Sequence, residues 1–128
     1  MPERTAIEAD GAPAAVGPYS HAVVHGGALY CSGQVPLDPA SGELVAGGPG
    51  EQTRQCLRNL EAVCAAAGTS LGRALMVSVF TTDLGSGPEI NEAYGEFFGA
   101  EPPARAMVGV AALPLGATVE VAAVVAAG

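Results

Sequence analysis

"EQTRQCLRNLEAVCAAAG", residues 51–68, is the stretch that decides the fold. Its apolar side chains Cys56, Leu57, Leu60, Val63, Cys64 and Ala67 recur at i, i+3, i+4 and i+7. That spacing lines them up as one stripe of an amphipathic helix, and Gly68 stands where a C′ residue would end it. The period then changes. "ALMVSVFTT" (74–82) is apolar enough for a central strand. "SGPEINEAYGEFF" (86–98) returns to helical spacing, with Ser86 at the N-cap position and Ile90, Ala93, Tyr94 and Phe97 on the inner face.

Upstream, two β-prone runs, 20–24 and 28–34, flank Gly26-Gly27 and read as a hairpin, preceded by a short strand near 5–8. "PLDPASGELVAGGPG" (36–50) is a long loop of turn residues. Downstream, strands are expected over 104–111 and 118–126. The order β-β-β-α-β-α-β-β describes one α+β domain over residues 1–128, a mixed sheet whose helical crossovers cover one face. The other face, still apolar, needs a partner.

Composition agrees with that need. Of 128 residues, 49% are hydrophobic and only 14% charged, so an oligomer that hides apolar surface is expected. Net charge is −8, and all five cationic side chains are arginine. Without basic clusters there is no footprint for nucleic acid or for an anionic membrane surface. No run of about 18 apolar residues occurs, and "MPERTAIEAD" lacks the apolar core of a secretory signal, so the expected location is the cytoplasm. Cys31, Cys56 and Cys64 show no CxxC spacing and are expected to be reduced, apart from one another and not zinc ligands, with Cys56 and Cys64 as core residues.

Two charges stand out in apolar strands: Arg105 in "PPARAMVGVAAL" and Glu120 in "TVEVAAVVAA". Strand alternation puts Arg105 on one face with Met107, Gly109 and Ala111. An arginine cannot discharge, so either Arg105 and Glu120 bridge neighbouring strands, or Arg105 forks a ligand carboxylate while Glu120 handles a proton or a water. "GPYSHAV" and "ALYCSGQVP" add Tyr19, Ser32 and Gly33, which offer a phenol, a hydroxyl and a backbone amide. Taken singly, these fit packing and turn roles as well. With only His21 and His25, no nucleophilic triad assembles.

Together and in order, "APAAVGPYSHAV", "LYCSGQVPLDPASGEL", "QTRQCLRNLEAV", "AAAGTSL", "NEAYGEFF", "PPARAMVGVAALP" and "VEVAAVVA" resemble the reactive-intermediate deaminase (Rid, YjgF/UK114) family over nearly the whole chain. The resemblance implies a chorismate-mutase-like α+β fold, assembled as a homotrimeric barrel with ligand clefts between subunits. It implies hydrolysis of 2-imino and 2-enamino acids to 2-keto acids and ammonia, with no metal or organic cofactor. Arg105 matches the arginine that binds the substrate carboxylate, helped by the amide of Gly33. Glu120 matches the acid that orients water, and Tyr19, Ser32 and Asn91 match cleft-lining positions. Many members carry cysteine where this chain has Met107, and glutamine where it has His21. If position 107 acts through its backbone carbonyl, Met107 keeps that role while its side chain narrows the pocket; if the thiol itself matters, activity falls. Three other functions stay open: a non-catalytic small-carboxylate-binding trimer, a pathway-specific biosynthetic deaminase, and an endoribonuclease, against which the acidic charge weighs.

Overall fold

In a computed structural model, residues 3–128 form a six-stranded sheet with two α-helices. The strands are β1 (Thr5–Ile7), β2 (Ala22–His25), β3 (Ala28–Gln34), β4 (Ala74–Thr81), β5 (Ala104–Gly109) and β6 (Val119–Ala126). The helices are α1 (Pro49–Ala66) and α2 (Gly87–Gly95). This is the expected element order. β5 stops two residues short of expectation, and α2 gives way to a turn before Phe97.

Local chemistry sets the boundaries. Gly26 and Gly27 both take positive φ, 59° and 80°, the conformation a two-residue turn needs between β2 and β3. α1 begins at Pro49, which needs no amide partner in the first turn, and ends in a Schellman arrangement. There Thr69 N–H donates to the Cys64 carbonyl, Gly68 N–H donates to that of Ala65, and Gly68 sits at φ 78°. Ser86 does occupy the N-cap position of α2, but its hydroxyl donates to Asp83 Oδ2 instead of capping the helix. Glu89 in the first turn of α2 instead accepts the Gly50 N–H of α1, tying the two helix starts together.

Strand order is β1-β2-β3-β6-β4-β5. All neighbours pair antiparallel except β4 and β5, which are parallel, as a crossover through α2 requires. β6, last in sequence, inserts between β3 and β4. The α1 stripe of Cys56, Leu57, Leu60, Val63 and Cys64 is fully buried, in one core with Leu29, Val77, Val79, Val119, Val121 and Val125. Each such valine or leucine contributes about 1.5–3 kcal/mol through removal from water. All three cysteines are buried and free. No disulfide joins them, as expected, although Cys31 of β3 and Cys64 of α1 are neighbours in the core.

Alternation along the central strands separates two faces. Val77, Val79, Val119, Val121 and Val125 point into the helix-covered core, whereas Glu120, Ala122 and Val124 of β6 point the other way. That second face carries Tyr30, Met76 and Val108, which are among the exposed large hydrophobic side chains. No helix among the described residues is long and apolar enough to cross a membrane.

Candidate active site

β3 breaks its register with β6 between Cys31 and Gln34, so Ser32 and Gly33 sit in a bulge. The bulge is anchored from behind. Ser32 N–H donates to the His21 carbonyl at 2.9 Å, and Ser32 Oγ donates to the Ser20 carbonyl at 2.7 Å. Gly33 then leaves room for Glu120, whose carboxylate lies where a Cβ at position 33 would collide with it. Tyr19 folds over its own loop, its hydroxyl accepting the Val16 N–H at 3.3 Å.

These residues enclose a cleft of about 320 Å³ lined by Val16, Tyr19, Ser32, Gly33, Val35, Pro114 and Glu120. The sequence reading therefore placed Tyr19, Ser32, Gly33 and Glu120 in company, and missed Val16, Val35 and Pro114. Those three come from loops and a strand end, where no periodicity marks a wall. Burial alone pushes the Glu120 carboxyl above its ordinary range. Among the described residues no cation stands within ion-pair distance of it.

Arg105 lies elsewhere. It opposes Val77 in the β4–β5 pair, and Val77 opposes Ala123. Glu120 opposes Phe80, three residues along β4. Directly paired residues share a face, and an odd step along a strand reverses it, so the two charges point to opposite faces of one sheet. The interstrand salt bridge, one of the two readings left open, does not form. Arg105 Nη1 instead donates to Asn91 Oδ1 at 2.8 Å, and the guanidinium lies 4.8 Å above the Tyr94 ring.

A second cavity of about 420 Å³ surrounds that guanidinium, with Asn91, Tyr94, Phe98, Pro102 and Pro103 among its walls. Tyr94 is six-hundredths exposed, and its hydroxyl has no hydrogen-bond partner among the described residues. Burial raises the Tyr94 phenol while the nearby Arg105 charge lowers it, and burial dominates. Sequence spacing put Tyr94 on the inner face of its helix but gave no sign that a cation would stack on it. Met107 shares the Arg105 face, yet its side chain packs against the core and lines neither cavity. Ala111, expected on that face too, lies beyond the end of β5.

The chain thus holds two candidate half-sites back to back: a carboxylate with Tyr19, Ser32 and Gly33 on one face, and an arginine with Asn91 and Tyr94 on the other. Comparison with known proteins gives the family. The family model described as Endoribonuclease L-PSP matches residues 9–127. The chain is 49% identical over 119 residues to the RutC family protein y4sK of Sinorhizobium fredii, covering 93% of this chain and 94% of that one. It is 44% identical over 121 residues to a mouse (Mus musculus) protein named 2-iminobutanoate/2-iminopropanoate deaminase, covering 94% of this chain and 90% of that one. The solved structure of E. coli TdcF with bound serine superposes with a TM-score of 0.91 at 38% identity, covering 97% and 99% of the two chains. With matches that run nearly end to end, the chain belongs to the Endoribonuclease L-PSP family, the YjgF/RidA proteins.

Proposed function

We propose that this protein hydrolyses reactive 2-imino and 2-enamino acids to 2-keto acids and ammonia, in clefts formed between the subunits of a homotrimer. The observation that carries the proposal is the pair of unmatched charges. Arg105 and Glu120 each lack a counter-ion among the described residues, and they face opposite ways from one sheet. A substrate can touch both only if the β5 edge of one copy meets the Glu120 face of another. The exposed Tyr30, Met76 and Val108 on that face support such a contact.

The chemistry asks little of the protein. Arg105 keeps guanidinium donors beyond the one given to Asn91, and with them it grips the substrate carboxylate. Tyr94 beneath the guanidinium holds its plane. The imine carbon is already electrophilic, so positioning supplies most of the remaining acceleration. A 2-enamino acid first takes a proton at its β-carbon to become the imine. Glu120 accepts a proton from the attacking water as the C–O bond forms. The carbinolamine formed by water then receives a proton on nitrogen. Its hydroxyl gives up a proton to Glu120 or water as the C=O forms and the C–N bond breaks, so that ammonia leaves and a 2-keto acid remains. Water is the nucleophile, so the proposed route needs no nucleophilic side chain and no cofactor. The deaminase names of the mammalian relatives agree with this reading.

A carboxylate-binding role without turnover is the second reading, favoured by the serine in the E. coli neighbour. An RNA-cleaving role draws no support from the surface, where the Arg54 guanidinium is taken up by Glu51 and Glu96. Freshly generated 2-aminoacrylate separates the first two readings. Pyruvate formed well above the spontaneous rate supports the deaminase; binding of serine or pyruvate with no gain over the spontaneous rate supports the binder. Pathway-specific deamination would show as preference for one imine by orders of magnitude.

A further inference from the structure

We infer that His21 is the positioning residue of the cleft loop, and that it acts only as a neutral ring. The imidazole is buried, and both nitrogens are used. Ala9 N–H donates to Nδ1 at 2.8 Å, so Nδ1 carries a lone pair and Nε2 carries the hydrogen. Nε2–H donates to the Pro13 carbonyl, also at 2.8 Å. The His21 carbonyl meanwhile accepts Ser32 N–H. One residue thus ties the 9–13 segment to the bulge of β3. Between these two anchors hangs the loop that carries Val16 and Tyr19 into the cleft opposite Glu120.

This arrangement has a proton dependence built in. A second proton would occupy Nδ1, remove the acceptor, and leave the Ala9 amide unpaired in a buried place. Two carboxylates, Glu8 and Asp10, line the cavity beside the ring, and Glu8 Oε2 lies 3.6 Å from Nδ1. Once protonated, the ring would exchange the backbone bond for Glu8, whose side chain is 66% exposed and holds nothing of the loop. The loop is therefore held while Nδ1 keeps its lone pair and is released when that atom takes a proton. A carboxamide can make the same two bonds, accepting through oxygen and donating through nitrogen, but it cannot gain the proton.

The inference concerns how the cleft is held and rests on the deaminase reading only for its consequence in turnover. Its test therefore reads structure first. Backbone amide exchange over residues 9–20 is compared in wild type, His21→Gln and His21→Ala at about pH 7.5 and about pH 5, each pair at matched pH. The expected result at the higher pH is equal protection in wild type and His21→Gln, with exchange faster by about tenfold in His21→Ala. At the lower pH wild type loosens towards His21→Ala while His21→Gln stays protected. Binding of 2-oxobutanoate as a probe should follow the same order.

If His21→Gln is as loose as His21→Ala, the two side-chain bonds do not hold the loop. If wild type and His21→Gln stay equally protected at both pH values, the titration has no part in it. A loosened loop with unchanged probe binding would overturn the positioning role. Should His21→Ala fail to fold, the wild-type and His21→Gln comparison at two pH values still decides. Absence of imine turnover in wild type would count against the deaminase proposal and leave the exchange result standing.

Discussion

Arg105 stands exposed over Tyr94, bound on one side to Asn91, and its removal should cost the fold little. A cation over an aromatic ring at an exposed site contributes about 0.5–1 kcal/mol. Arg105→Ala is therefore expected to stay folded, with stability within about 1 kcal/mol of wild type by denaturant titration, and to lose imine hydrolysis. Arg105→Lys should recover little, because an ammonium lacks the fork that meets both carboxylate oxygens. Loss of fold in Arg105→Ala would instead make the arginine structural. Glu120 behaves in the opposite sense. Its folded carboxyl titrates above the ordinary range because burial penalises the charge. The folded state thus holds the proton more tightly than the unfolded chain does. The resulting stability is fully present below the unfolded value and is lost as pH rises through the raised folded one. Glu120→Gln should then be more stable than wild type at neutral pH, with the difference vanishing in acid. Its rate should fall by about 10²–10⁴-fold. An unchanged Glu120→Gln rate would remove Glu120 from the chemistry.

Among the elements, the joint between the helix starts is the most testable. Gly48 caps α1 without any side-chain hydrogen bond, and Glu89 of α2 supplies an acceptor for Gly50 N–H from across the helix pair. Glu89→Ala should lower stability by about 0.5–2 kcal/mol, the cost of losing a helix cap; a thermal melt unchanged from wild type would contradict that. Legibility in the sequence tracks how local the cause is. The α1 stripe from Cys56 to Cys64 and the Gly26-Gly27 turn could be read because helical periodicity and positive φ leave marks within a few residues. The Ser32–Gly33 bulge could not, since the Glu120 carboxylate that packs against Gly33 lies nearly ninety positions away in sequence. Nor could the opposed directions of Arg105 and Glu120, which depend on β6 inserting beside β4 in one particular register. The β4–β5 pairing sets Met107 opposite Val79, so its partly buried side chain packs against the core. The Cys31–Cys64 contact is another long-range consequence of α1 lying over β3.

At the scale of the whole molecule, the back-to-back half-sites carry the central claim, that a working cleft takes Glu120 from one copy of the chain and Arg105 from another. Light scattering should report a trimer; a stable monomer at micromolar concentration would leave each half-site incomplete. The most direct measurement mixes two inactive variants. Arg105→Ala keeps Glu120, and Glu120→Gln keeps Arg105, so mixed trimers contain some clefts with both groups intact. Refolding the two together in equal amounts, with native mass spectrometry to verify mixing, should restore about a quarter of wild-type turnover on 2-aminoacrylate, because each cleft draws its two chains at random. Mixed trimers as inactive as either parent would contradict the account, since a site contained within one chain cannot be repaired by a neighbour.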